Sequence, residues 1–228
     1  MTKVLTFDDI DNITDVEELR GIIKEQATAL SEFTELEEEL LLLSEVDTID
    51  DVENRLFENR IIYLHDEISQ DSLSQISPFI DYYNAVDSDI PKEDRKPIYI
   101  KIGTYGGEAY EAIGIIDAIE SSITPVHVHV EGKAMSAGIF IWASGHTRTM
   151  GKRSVLMYHQ VRGAIEGTLE DMKRQIKNLK SLQKRVDDLI VDNLGVDRQK
   201  LRELNKRNED WYIDYDTAKK MNMIKGRG

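Results

Sequence analysis

The chain has 228 residues, 40% hydrophobic and 32% charged, with a net charge of −14 and no cysteine. That length supports one well-packed core plus an appendage, and the missing thiols exclude disulfides, thiolate metal sites and a cysteine nucleophile. The charge is uneven, because residues 1–55 hold 17 Asp/Glu against 4 Lys/Arg and the remainder 26 against 25; a near-neutral body carrying an acidic extension, with no basic stripe, argues against a nucleic-acid partner.

Residues 1–14 show no ordering pattern of their own. Residues 15–43 are expected to be helical: Leu19, Ile23, Leu30, Phe33, Leu36, Leu40 and Leu43 recur at steps of three and four with acids opposite, and Asp15 with Glu18 suits a capped start. Residues 44–54 read as a polar linker, which divides the chain into an extension (1–54) and a main domain (55–228). No apolar run reaches the length of a membrane span. The Leu40 to Leu43 cluster is too short for a signal-peptide core, and the basic start of a secretion signal is missing. A cytoplasmic protein with no membrane partner is the expectation.

From Arg55 onward strands and helices alternate. Arg60 to Leu64 is a strand candidate and Leu73 to Val86 a helix. Residues 87–96 are a loop around Pro91, and Pro97 to Ile102 a strand ending in Gly103-Thr104-Tyr105-Gly106-Gly107. A helix carries Ala109 to Ile119, a strand Val126 to Val130, a helix Ser136 to Ser144 and a strand Ser154 to Tyr158. A long helix from about Thr168 to Leu194 has one apolar stripe and otherwise Lys, Arg and Asp. The alternation predicts an α/β core with crossover connections.

The chemistry concentrates at Gly132-Lys133-Ala134-Met135-Ser136-Ala137-Gly138. Here a serine stands between a strand and an apolar helix among small residues that admit a substrate backbone. The new helix aims unpaired N–H groups at the same place. Serine needs a base, and histidine is the usual one. His159 and Asp210 complete a Ser-His-Asp set in composition, although a serine at a helix start is more often a simple cap. The Gly106-Gly107 turn is either an ordinary strand-to-helix turn or a donor to an oxyanion. It lacks the lysine and Ser/Thr of a phosphate loop. His127 and His129 share one strand face, where a polar sheet surface is the simpler reading than a metal pair.

Taken together and in this order, the fragments resemble the Clp protease proteolytic subunit (ClpP) family. Thr104-Tyr105-Gly106-Gly107 is similar to its Ser-Pro-Gly-Gly turn, and Gly132-Lys133-Ala134-Met135-Ser136 to its Gly-x-Ala-x-Ser segment. Met157-Tyr158-His159-Gln160 is similar to its Met-Ile-His-Gln segment, and Asp210 before Tyr212 to its final acid. The resemblance spans about residues 56–226. It implies a ClpP/crotonase-like βαβ superhelix with a long handle helix (168–194), preceded here by the acidic helical extension.

It further implies Ser136 as nucleophile, His159 as base and then acid, and Asp210 as the orienting carboxylate. The N–H groups of Gly107 and Ala137 would form the oxyanion hole. Gly106, Gln160, Gly163, Ala164 and Ile165 would lie along the substrate, with residues 161–167 as the strand that pairs with it. No cofactor and no metal are implied. The family's subunits stack as two heptameric rings, a tetradecamer around a chamber, fed polypeptide by an AAA+ unfoldase. The extension would then be a propeptide or a plug of the axial pore, unless it is only a solvated acidic helix.

Three departures mark a divergent branch, with a viral source left open: Tyr105 for proline in the turn, Ala137 for methionine after the serine, and Val161 for proline after His-Gln. The rival readings are a crotonase-like acyl-CoA enzyme and a non-catalytic ring subunit.

Overall fold

The computed structural model describes residues 49–226 and, before them, 16, 17, 20, 21, 23–28, 30–32 and 34. The chain divides into two compact units, Met1–Asn54 and Arg55–Gly228. In the first, the described residues among 16–34 are helical and exposed, Val16, Ile23 and Leu30 included. The expected cap at Asp15 and Glu18, the helix beyond 34, and the readings for 1–14 and 44–48 lie outside the described residues. Residues 49–54 differ from the linker expected there, because they open a helix, α1 (Ile49–Glu58). Ile49, Val52 and Leu56 recur at three and four, a period that the surrounding acids hide.

The second unit is a mixed α/β fold. Strand β1 (Ile61–Leu64) is followed by α2 (Gln70–Val86), β2 (Ile98–Thr104), α3 (Ala109–Ser121) and β3 (Val126–Met135). Then come α4 (Ala137–Ser144), β4 (Thr147–Met150), β5 (Val155–Tyr158) and α5 (Leu169–Leu194). Helix α6 (Arg198–Arg207), β6 (Trp211–Asp214) and α7 (Tyr215–Lys220) close the unit. The sheet runs β1-β2-β3-β5-β6, with β4 paired to β3. All pairings are parallel except that of β5 with β6. Strand β3 serves two neighbours in turn: residues 127–130 pair with β4 and 133–135 with β5. Between them Gly132 has φ 76°, a conformation that a side chain would resist.

Alternation along the strands sorts the faces. Ile98, Ile100 and Ile102 of β2 and Val126, Val128 and Val130 of β3 are fully buried. With Ile115, Ile119, Ile139 and Ile141 they belong to one core. Trp142 of α4 sits within it, fully buried, and its indole N–H donates to the Thr149 carbonyl at 3.0 Å. On the opposite face His127 and His129 both reach the Thr149 hydroxyl, at 2.8 and 2.7 Å, which is the polar sheet surface of the simpler reading.

A second anchor ties β1 to α2 and to the segment before β3. The Arg60 guanidinium grips the buried Asp87 carboxylate through two bonds, at 2.6 and 2.8 Å. It also lies 4.5 Å from the Tyr83 ring centroid. Thr124 donates to the same carboxylate at 2.9 Å. Phe57 of α1 meets Phe79 edge-on at 5.5 Å, and the Tyr83 hydroxyl donates to the Phe57 carbonyl.

Candidate active site

Parallel strands put all their C-terminal ends along one edge of the sheet, where α/β folds bind ligands. The register brings the candidate residues to that edge. Thr104 pairs with Ala134, Met135 with Met157, and Tyr158 with Trp211. Gly106, Ser136 and His159 each follow the ends of β2, β3 and β5. Because β6 runs antiparallel, its beginning lies at the same edge, and Asp210 immediately precedes it. Residues as far apart as Gly106 and Asp210 thus reach one edge through four neighbouring strand ends.

Ser136 occupies the N-cap position of α4, yet it does not behave as a cap. Its φ of 54° is unusual for a residue with a side chain, and its hydroxyl makes no capping bond. The backbone is held there because the Ser136 N–H donates to the Met157 carbonyl at 2.9 Å. The hydroxyl turns instead to His159, with Oγ 2.6 Å from Nε2. A strained strand-to-helix turn that presents a serine in this way is the geometry of a nucleophile elbow.

The turn at Gly106-Gly107 packs directly against it. A Cβ on Gly106 (φ 112°) would come within 2.6 Å of the Ser136 Cβ and 2.9 Å of the Met135 carbonyl oxygen. One on Gly107 (φ 153°) would come within 2.2 Å of the Ile68 carbonyl oxygen. Ile68 brackets the turn, donating to the Gly106 carbonyl at 2.9 Å and accepting from the Glu108 N–H at 2.8 Å. The proline missing at Tyr105 is compensated. Thr104 Oγ1 accepts from the Gly106 N–H at 3.1 Å and donates to the Asp66 carbonyl at 2.6 Å. The Lys133 ammonium covers the exposed Tyr105 ring at 4.3 Å. Ala137 is buried in the first turn of α4, whose leading N–H groups have no intrahelical acceptor.

The third link differs from the expectation. Among the described residues, His159 Nδ1 is the one buried side-chain nitrogen or oxygen without a hydrogen-bond partner. Asp210 is ion-paired elsewhere: Arg162 Nη2 donates to its Oδ1 at 2.9 Å. Burial holds the His159 imidazole below its usual pKa of 6.5, and the positive Arg162 adds to this. The Asp210 charge works the other way, so the acid is near enough to be felt without being bonded. Arg162 went unread in the sequence, since an arginine directly after Val161 signals nothing by itself.

Residues 161–166 do not form the expected strand; they carry no regular secondary structure, as a lone edge segment has no neighbour to complete its ladder. Arg162, Gly163, Ala164 and Ile165 are exposed, and Gln160 is half-buried. A groove of about 440 Å³ runs beside them, lined by Gln160, Arg162, Gly163, Ile176, Leu179 and Lys180. The segment is tethered by Gln183 of α5, whose Oε1 accepts the Val161 N–H at 2.7 Å. The same amide donates to the Tyr158 hydroxyl at 3.1 Å and to Asp187 at 2.8 Å. Tyr158 in turn donates to Asp187 at 2.5 Å. Its hydroxyl is pushed well above the usual phenol range by burial and by Asp187. This network fixes the residue before His159 onto the long helix; only the 3–4 spacing of Gln183 and Asp187 could have hinted at it.

A serine hydroxyl and an imidazole at hydrogen-bond distance on such a turn have the arrangement in which serine hydrolases set a nucleophile against its base. The Clp protease family model matches residues 44–226. The chain is 29% identical over 179 residues to ATP-dependent Clp protease proteolytic subunit 1 of Prochlorococcus marinus (strain MIT 9312), covering 76% of this chain and 86% of that protein. It is 32% identical over 150 residues to proteolytic subunit 2 of Synechococcus sp. (strain CC9605), covering 64% and 72%. The proteolytic subunit of Borreliella afzelii (strain PKo) is 28% identical over 179 residues, covering 76% and 85%. The chain belongs to the Clp protease family and is a serine endopeptidase.

Proposed function

We propose that the chain cleaves polypeptides through an acyl-enzyme formed on Ser136. His159 takes the hydroxyl proton as Ser136 Oγ attacks the scissile carbonyl, then returns it to the leaving amine. Water, activated by the same imidazole, hydrolyses the ester. Asp210 orients the imidazole and balances its charge. The N–H groups of Gly107 and Ala137 receive the oxyanion, each such donor being worth about 3–4 kcal/mol. Substrate lies extended along Gln160, Gly163, Ala164 and Ile165, completing the ladder that residues 161–166 lack. No cofactor enters this chemistry. The observation that carries the reading is the 2.6 Å approach of Ser136 Oγ to His159 Nε2 on a positive-φ turn.

The peptidase domain is residues 55–228, with residues 1–54 as its acidic extension. Subunits assemble as two stacked heptameric rings enclosing the sites, and an AAA+ unfoldase delivers the substrate. The relatives named as ATP-dependent proteolytic subunits support that partnership. The deciding experiment is reaction of the full chain with a fluorophosphonate, followed by mass mapping. Label is expected on Ser136. Ser136→Ala is expected to lose label and about 10³-fold or more of peptidase kcat. Label elsewhere, or equal peptidase activity in Ser136→Ala, would sink the mechanism.

A further inference from the structure

The one unpartnered buried side-chain atom among the described residues sits on the residue that must work as the base. For His159 to accept the Ser136 proton at Nε2, its Nδ1 must carry hydrogen, and a carboxylate on Nδ1 is what selects that tautomer. Here the carboxylate in range, Asp210, spends one oxygen on Arg162. Arg162 belongs to the irregular segment that follows His159, with no strand pairing to fix its backbone. Val161 before it is tethered to Gln183, but the Arg162 side chain is 61% exposed and is placed to follow whatever occupies the segment.

We propose that Arg162 is a positioning residue that withholds Asp210 from His159 in the unoccupied subunit. A polypeptide lying along residues 160–165 draws Arg162 off, and Asp210 then closes on Nδ1. The device rests on the Ser136 mechanism above. It adds a reason for the active site to idle until a substrate strand arrives. The pair is exposed, 61% on the arginine side and 33% on the aspartate, and such pairs are weak. The latch is thus easily lifted, and its removal is worth up to about fivefold in rate by the strength of exposed ion pairs.

The test is the rate of fluorophosphonate labelling of Ser136 against pH in the full chain, for wild type, Arg162→Ala and Arg162→Gln. The charged groups that act on His159 are Arg162 and Asp210. Losing the first while gaining a bond to the second raises the imidazole pKa. Both variants are expected to label about two- to fivefold faster on the alkaline plateau, with the acid limb moved to higher pH. Asp210→Asn is expected to erase the difference when combined with either variant. Sodium chloride, which screens exposed pairs, is expected to speed wild type and leave the variants unmoved, a readout that needs no mutant to fold. Unchanged or slower labelling with an unmoved acid limb would overturn the latch. Labelling that survives Ser136→Ala would instead overturn the mechanism beneath it.

Discussion

At Gly106 a hydrogen atom decides whether the site exists. The turn and the serine approach so closely that a methyl group would have to share space with the Ser136 Cβ. Gly106→Ala is therefore expected to lower kcat/KM by about 10²-fold or more, the order of losing an oxyanion donor. The melting temperature is expected to fall as well, because φ 112° at this buried position strains any residue that carries a Cβ. A variant with near-normal peptidase kinetics would show that the turn has room to move. Ser136 makes the complementary point. Its position before an apolar helix is legible in sequence, but a cap and a nucleophile share that address. Only the backbone angle and the direction of the hydroxyl separate them.

Among the elements, the strands that carry the chemistry were readable and the strands that align it were not. β2 and β3 announce themselves by alternating Ile and Val, and β5 by the apolar run Val155 to Tyr158. β4 and β6 are four residues each, and Thr147-Arg148-Thr149-Met150 has no apolar rhythm. Yet β6 decides where Asp210 goes, since its antiparallel pairing returns the chain to the working edge. Arg162 was equally silent, because its meaning depends on a partner 48 positions away. Element-level stability rests on another long-range pair. Asp87 is buried, and its carboxyl is held below the ordinary range, first by its bonds to Arg60, with Thr124 adding to the effect. Asp87→Ala is expected to cost about 3–5 kcal/mol, the penalty for stranding a buried cation. The sign of the pH dependence follows from the depressed carboxyl. Its contribution is complete above the unfolded value of 3.8 and fades as pH falls below it toward the folded value. Urea melts of wild type and variant between neutral and strongly acid pH should converge; a gap that widens on acidification would refute this.

For the whole molecule, the long helix α5 has two characters. Leu182, Val186, Ile190 and Leu194 are buried within the subunit, while Leu169, Met172 and Ile176 stand exposed at steps of three and four. The bare half is what ring-to-ring packing would cover. On the assembly proposed above, Ile176→Asp is expected to convert stacked rings to single rings or smaller species in sedimentation, with little loss of subunit stability. An unchanged sedimentation coefficient would place the ring contact elsewhere.

The two tryptophans divide the molecule's optical signal in a useful way. Trp142 is sealed in the core, so its emission is a constant background. Trp211 follows Asp210 directly and lies half-buried, with the Lys200 ammonium 3.5 Å from its ring centroid. Any swing of the acid from one partner to the other changes the field on that indole. The chain thus carries a built-in fluorophore beside the proposed latch, and the colour of its light can be followed without a dye.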